Sequence, residues 1–215
     1  MCDILEVVIK NGGECALNRL IEEARNVVFD VGQVLLSFEP EKILPIMLNE
    51  EEQKVLKVPP LFETKMWAEL DRGVITDEEE AHYAARLAGD ESLWPAVLRV
   101  TRGFQEYMDV LPAAGLIPLL KAQEKGVYIL SNYNDVTFTR TKERFPDVFR
   151  DVDGMIVSGF EHLLKPDPAI YRLLLDRYGL KAEECVFIDD RDVNIEAARA
   201  VGMKGIVYTG PEALG

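Results

Sequence analysis

Residues Asn26 to Ser37 read NVVFDVGQVLLS. Val27, Val28 and Phe29 form a short run of β-branched and aromatic residues, the composition of a strand covered on both faces. Asp30 sets a carboxylate at the carboxyl end of that strand, where open α/β sheets hold their ligands. Gly32 lets the backbone turn sharply or approach a ligand closely. Taken alone, Asp30 reads equally well as the cap of a turn.

Three further apolar runs end in polar residues: VYILSN (Val127–Asn132), GMIVSG (Gly154–Gly159) and CVFIDD (Cys185–Asp190). Helical spacing lies between and around them, at 114–125, 135–144, 167–178 and 193–201. Gly126 is expected to cap the first of these helices, Gly179 to stop the third and Gly202 the fourth. Pro168 falls in the first turn of the third, where its missing N–H costs nothing. A last strand is expected at 205–208. Strands alternating with helices imply an α/β fold, a doubly wound parallel sheet of Rossmann-like type.

From 41 to 108 the pattern is helical and polar, with segments near 41–49, 60–70, 77–88 and 92–108 and no strand-like alternation. Pro40 is expected to break the apolar run that precedes them. Thr76 followed by Glu79 forms a capping box that opens the third segment. The expected division is an extension at 1–25, an α/β core at 26–38 and 110–215, and an α-helical insert at 39–109. Within the extension, 4–9 reads as a strand, Asn11-Gly12-Gly13 as a turn and 14–25 as a helix. These elements suit an added sheet edge with a covering helix, or a subunit contact.

The chain has 215 residues, 48% of them hydrophobic, enough for one large domain or a core with an insert. A net charge of −14 argues against nucleic acid and anionic membranes as partners, since both need a positive face. A phosphate site on such a chain needs local positive charge, such as a metal ion and a lysine. Cys2, Cys15 and Cys185 lack zinc-ligand spacing and read as reduced thiols. The start, MCDILEVVIK, lacks the basic end and long apolar run of a signal peptide, so a cytoplasmic location is expected.

At the strand ends, Asp30 and Asp190 are candidates to share a hard divalent cation, which prefers oxygen ligands and relieves the repulsion between carboxylates. Asp189-Asp190 reads alternatively as a helix N-cap. The ordered set of Asp30, Ser131, the Lys165–Pro166 pair and Asp189-Asp190, each at or after a strand end, resembles the haloacid dehalogenase superfamily over roughly residues 26–210. The helical insert resembles the α-helical cap of one branch of it, and WAELDRGVITDEE (Trp67–Glu79) looks like a stretch that recurs in sugar-phosphatase-like members. The resemblance implies a magnesium-dependent phosphatase acting on a small phosphorylated metabolite, a sugar phosphate among the candidates. It assigns Asp30 as the nucleophile that forms an aspartyl-phosphate. It gives magnesium to Asp30, the Gly32 carbonyl and Asp190, with Asp189 and Asn194 in or near the layer behind the metal. It assigns phosphate binding to Ser131 and the Asn132 backbone, and charge compensation to Lys165.

Arg72 and Trp67, in the insert, are candidates to touch the rest of the substrate; equally they read as an exposed arginine and a core tryptophan. Tyr133 and Asn134 are expected near the insert, and His82 and His162 as surface or packing residues. One departure stands out. Many phosphatases of the resembled family carry Asp two residues after the nucleophile, as the acid that protonates the leaving group. Here that residue is Gly32. Some helical-cap members, including sugar-1-phosphate-phosphatase-like ones, also have Gly there. A 2-haloacid dehalogenase, in which Asp30 displaces halide without metal, is the alternative activity, although such enzymes usually lack an acid equivalent to Asp190. A non-catalytic binding protein of the same fold is the third reading. Oligomeric state is left open.

Overall fold

The computed structural model describes residues 18–57, 61, 62 and 64–215. The expected strand at 4–9 and the turn at 11–13 lie outside the described residues. What is described of the expected helix at 14–25 is α1, Arg19–Glu23, with Asn18 capping it by accepting the Leu20 N–H.

β1, Asn26–Phe29, is buried along its whole length. After it come α2 (Pro40–Met47), α3 (Glu50–Val55), α4 (Lys65–Asp71), α5 (Asp77–Leu87) and α6 (Trp94–Gly103). The core then continues with α7 (Leu116–Ala122), β2 (Gly126–Ser131), α8 (Asp135–Arg144), α9 (Pro146–Phe149), β3 (Gly154–Val157) and α10 (Ser158–Glu161). It ends with α11 (Pro168–Tyr178), β4 (Cys185–Asp189), α12 (Asp192–Ala200) and β5 (Lys204–Val207). The five strands are parallel, in the order β3-β2-β1-β4-β5. β1 is therefore central, and the chain reverses its direction of progress across the sheet there. A crevice opens at the carboxyl ends of strands beside such a reversal.

Alternation along the strands sends side chains to two cores. Val27, Phe29, Val127, Ile129, Val157, Val186 and Ile188 face one, covered by Ile21 of α1, Leu116, Ile117 and Leu120 of α7 and Phe138 of α8. Val28, Leu130, Ile156 and Phe187 face the other, covered by Ile170, Tyr171 and Leu174 of α11 and Ile195 and Ala198 of α12. Burial on both faces explains why the strands read as continuous apolar runs.

Between β1 and β2 the described regular structure is helical apart from isolated bridges. Leu44, Leu48, Leu56, Leu61, Ala81, Ala84, Ala85, Ala96, Val97 and Val100 form a separate apolar cluster. Ile43, Phe104 and Met108 instead join the core against the sheet, which ties this region to the domain beneath it.

Several local expectations change. Pro40 opens α2 as its first residue rather than only breaking the chain, because its fixed φ suits a first helical turn. α3 was not expected; Asn49 and Glu52 form a capping box that starts it. α7 ends at Ala122, and Glu124, not Gly126, takes the left-handed conformation, at φ 57°. Gly126 is already the first residue of β2, where a Cβ would collide with the Asn26 side chain. The Thr76–Glu79 capping box is present, and Gly179 and Gly202 have φ of 63° and 95° at the ends of α11 and α12.

Candidate active site

β1 delivers Asp30 to the crevice, and the Asp30 N–H extends the ladder by donating to the Ile188 carbonyl at 2.9 Å. The side-chain Oδ1 accepts from the Val31 N–H at 2.7 Å and from the Ser131 hydroxyl at 2.6 Å, and lies 2.9 Å from Lys165 Nζ. Ser131 closes β2, the strand paired to one side of β1, and β4 on the other side ends with Asp189. Lys165 arrives from the loop before α11 and places its buried ammonium between Asp30 and Asp189, 2.7 Å from Asp189 Oδ2. The Asn132 side chain holds this loop: its Nδ2 donates to the Lys165 carbonyl at 2.9 Å and its Oδ1 accepts the Lys165 N–H at 2.8 Å.

Asp189 is fully buried and heavily bonded. It accepts from Asn194 Nδ2 at 2.9 and 3.0 Å and from the Arg191 N–H at 2.8 Å. Neither acid caps α12: its N-cap is Arg191, without a side-chain cap bond, and the backbone N–H that Asp189 accepts is that of Arg191, ahead of the helix. Asp190 is half-buried at the same edge. One carboxylate oxygen from each of Asp30, Asp189 and Asp190 lies within 4.8 Å of the others.

Three carboxylates share one lysine here. Burial, opposed by Lys165 and reinforced by the Asp189 charge, pushes Asp30 up to about 6. Burial and then Asp189 also raise Asp190. Lys165 shows the reverse balance: burial works against its charge, but Asp30 and Asp189 outweigh it and raise its pKa. A hard divalent cation beside this cluster would supply the missing positive charge, and an all-oxygen donor set suits magnesium. The residues present therefore fit such an ion.

Above Asp30 lies a cavity of about 120 Å³, lined by Asp30, Gly32, Ser131 and Asn132 below and by Phe38, Trp67, Asp71, Phe104, Met108 and Tyr133 around it. Its wall continues an aromatic chain. Phe38 meets Phe62 and Phe104 at 5.2 Å each, Phe62 meets Trp67 at 4.8 Å, and Phe104 stacks on Tyr133 at 6.0 Å. Gly32 has open space in front of it: a Cβ built there meets nothing within 4 Å.

Asp30, Ser131, Lys165, Asn132, Asp189, Asp190 and Asn194 converge, and Trp67 lines the cavity. Arg72 is not among the lining residues; its guanidinium sits 3.6 Å from Glu69, its neighbour one turn earlier. His82 stacks on Trp94 at 4.4 Å, and exposed His162 contacts the Arg72 carbonyl through Nδ1 at 3.0 Å. Asn134 caps α8. Asp71, beside Arg72 in sequence, was not singled out. Burial first, then the charge of Asp30, raise it to about 7, against a lowering backbone bond from Asn134. No sequence motif marks it, because its place depends on how the helical region sits over the sheet.

The chain belongs to the haloacid dehalogenase-like hydrolases, whose family model matches residues 24–202. It is 29% identical over 188 residues to the sesquiterpene phosphatase astK of Aspergillus oryzae, covering 85% of this chain and 88% of that protein. It is 25% identical over 195 residues to drimenol cyclase drtB of Aspergillus calidoustus; the match takes in 86% of this chain but only 34% of that longer protein. A HAD-family enzyme of Bacteroides thetaiotaomicron, solved in complex with magnesium and inorganic phosphate, superposes with a TM-score of 0.67 at 22% identity, covering 87% of this chain and 95% of that one. Among the described residues, no helix is long and apolar enough to cross a membrane.

Proposed function

We propose that this hydrolase is a magnesium-dependent phosphatase that cleaves small phosphate esters through an aspartyl-phosphate on Asp30. The observation that carries the reading is the pairing of a buried, three-point-held Asp30 with a second carboxylate site, Asp189-Asp190, across a single lysine. A dehalogenase displacing halide needs no such excess of acids. The phosphatase name of the astK relative and the magnesium and phosphate in the Bacteroides neighbour support the same choice.

Asp30 and Asp190, with the Gly32 carbonyl, would hold magnesium, which when bound neutralises phosphoryl charge. The Val31 N–H, Ser131 and Lys165 all meet Oδ1, which fixes the plane of the carboxylate; Oδ2 has no hydrogen-bond donor among the described residues. Such fixation supports in-line attack on phosphorus. Lys165 is a compact positive charge beside the transferring group. Asn194 and Lys165 hold Asp189, and through it the turn that carries Asp190.

The wall narrows the substrate. Phe38, Trp67, Phe104, Met108 and Tyr133 offer apolar surface, and few polar groups face a sugar's hydroxyls. At about 120 Å³ the cavity is below the roughly 300–1,000 Å³ of pockets for drug-sized ligands, so it suits a phosphoryl group and the atoms next to it. We therefore favour an aromatic or isoprenoid phosphate over a sugar phosphate. The test is phosphate release from aryl, isoprenoid and sugar phosphates, with magnesium or with chelator. Wild type is expected to prefer the apolar esters and to need magnesium. Asp30→Asn is expected to lower kcat by at least about 10³-fold with an unchanged circular dichroism spectrum. Activity that survives in chelator, or in Asp30→Asn, overturns the reading.

A further inference from the structure

The nucleophile's partner in phosphoryl transfer is an acid that protonates the departing oxygen, and position 32 supplies none. We propose that Asp71, from the helical region above the sheet, is that acid, an inference that rests on the phosphatase reading of the site. Asp71 and Asp30 line the same small cavity from opposite parts of the chain. The space a side chain at position 32 would fill is open, so a proton donor reaching in from above meets no obstruction there.

Asp71 is also held by the core. It is the last residue of α4, and its backbone carbonyl accepts the Ser158 hydroxyl at 2.5 Å. Ser158 Oγ in turn accepts the Tyr133 N–H at 2.8 Å, two residues beyond Ser131. One residue on, the Arg72 carbonyl meets His162 Nδ1. Next, Gly73 has φ 72° and lies so close to the Gly159 carbonyl that any Cβ would collide with it. Residues 71–73 are thus latched onto 158–162, which fixes where the Asp71 carboxyl meets the cavity. Asp30 and Lys165 face it from the core, Glu80 lies near it on α5, and Arg72 adjoins it. Burial and the Asp30 charge raise its pKa to about 7, which keeps a large share of it protonated near neutrality.

The step balances. As an Asp30 oxygen bonds to phosphorus and the bond from phosphorus to the leaving oxygen breaks, the Asp71 proton passes to that oxygen. The alcohol leaves, with Asp71 ionised and Asp30 phosphorylated. Water then attacks the phosphorus of the aspartyl-phosphate and gives a proton to Asp71. Inorganic phosphate and the starting forms of both aspartates result.

The experiment measures kcat/KM, which reports leaving-group departure, for aryl and alkyl phosphates of rising leaving-group pKa, in magnesium. Wild type is expected to show a shallow dependence. Asp71→Asn is expected to steepen it, with kcat/KM falling by about 10²–10⁴ for alkyl phosphates and by less than about tenfold for p-nitrophenyl phosphate. Adding Gly32→Asp to Asp71→Asn is expected to restore part of the loss on alkyl phosphates, since position 32 has room. A uniform loss across the series, as a merely structural role would give, or no loss, overturns the role of Asp71. Absence of phosphate release by wild type from every ester overturns the phosphatase reading itself, a distinguishable result.

Discussion

At the residue scale the site turns on Lys165. Its ammonium is buried between two carboxylates, and charges in such a place are tolerated only as a set. Lys165→Met keeps most of the side chain's volume and removes the charge. It leaves Asp30 and Asp189 facing each other without compensation. Removing one partner of a buried pair costs about 3–5 kcal/mol. Urea unfolding in chelator is expected to show a loss of that order, with phosphate release abolished. An unchanged midpoint would mean that Lys165 carries no electrostatic role.

The element scale is set by the junction of α4 with the loop that follows it. Gly73 follows Asp71 and Arg72 in a left-handed conformation, packed on the Gly159 backbone. Gly73→Ala introduces both a strained φ and a collision with main-chain atoms that cannot rotate away. It is expected to cost about 1–3 kcal/mol, read as a lower Tm, and to reduce activity on poor leaving groups more than on good ones, as Asp71 loses its place. A variant with wild-type Tm and an unchanged leaving-group profile would show that the latch does not position Asp71. The control is Gly89→Ala, which also has positive φ but open space, and is expected to leave the profile untouched.

At the scale of the whole molecule, a net charge of −14 makes the carboxylate cluster a point of local strain in an already acidic protein. A cation that binds the folded site and not the unfolded chain stabilises by mass action, by about 2.7 kcal/mol at a concentration one hundred times its Kd. Magnesium is expected to raise the Tm of wild type, and Asp190→Asn to lose most of that rise while gaining a little in chelator, where burial and the Asp189 charge outweigh the attraction of Lys165 and Arg191. A magnesium-independent Tm in wild type would refute the metal site.

The sequence alone determined the parallel α/β core, because strands buried on both faces must be apolar throughout and so announce themselves, and three of them, β1, β2 and β4, run on into the polar residues of the crevice. Asp30, Ser131, Asp189 and Asp190 stand at strand ends, which topology sends to one edge, whereas Lys165, in the loop before α11, was legible only through the resemblance to the haloacid dehalogenase superfamily. Helix caps with local chemistry, Thr76–Glu79 and Gly179, were legible too, since their partners lie within a few residues. What depends on contacts between distant segments was not. Gly126 looked like a helix stop, yet it serves β2 beside Asn26, a hundred residues earlier in the chain. Of the two candidates from the helical region, Arg72 and Trp67, each of which read equally well as an exposed or a core residue, the tertiary structure turns Arg72 toward Glu69 and brings Trp67, with Arg72's neighbour Asp71, to the cavity. Which face of α4 looks down on Asp30 is set by how residues 71–73 seat on 158–162, packing between segments almost ninety residues apart that no local periodicity encodes.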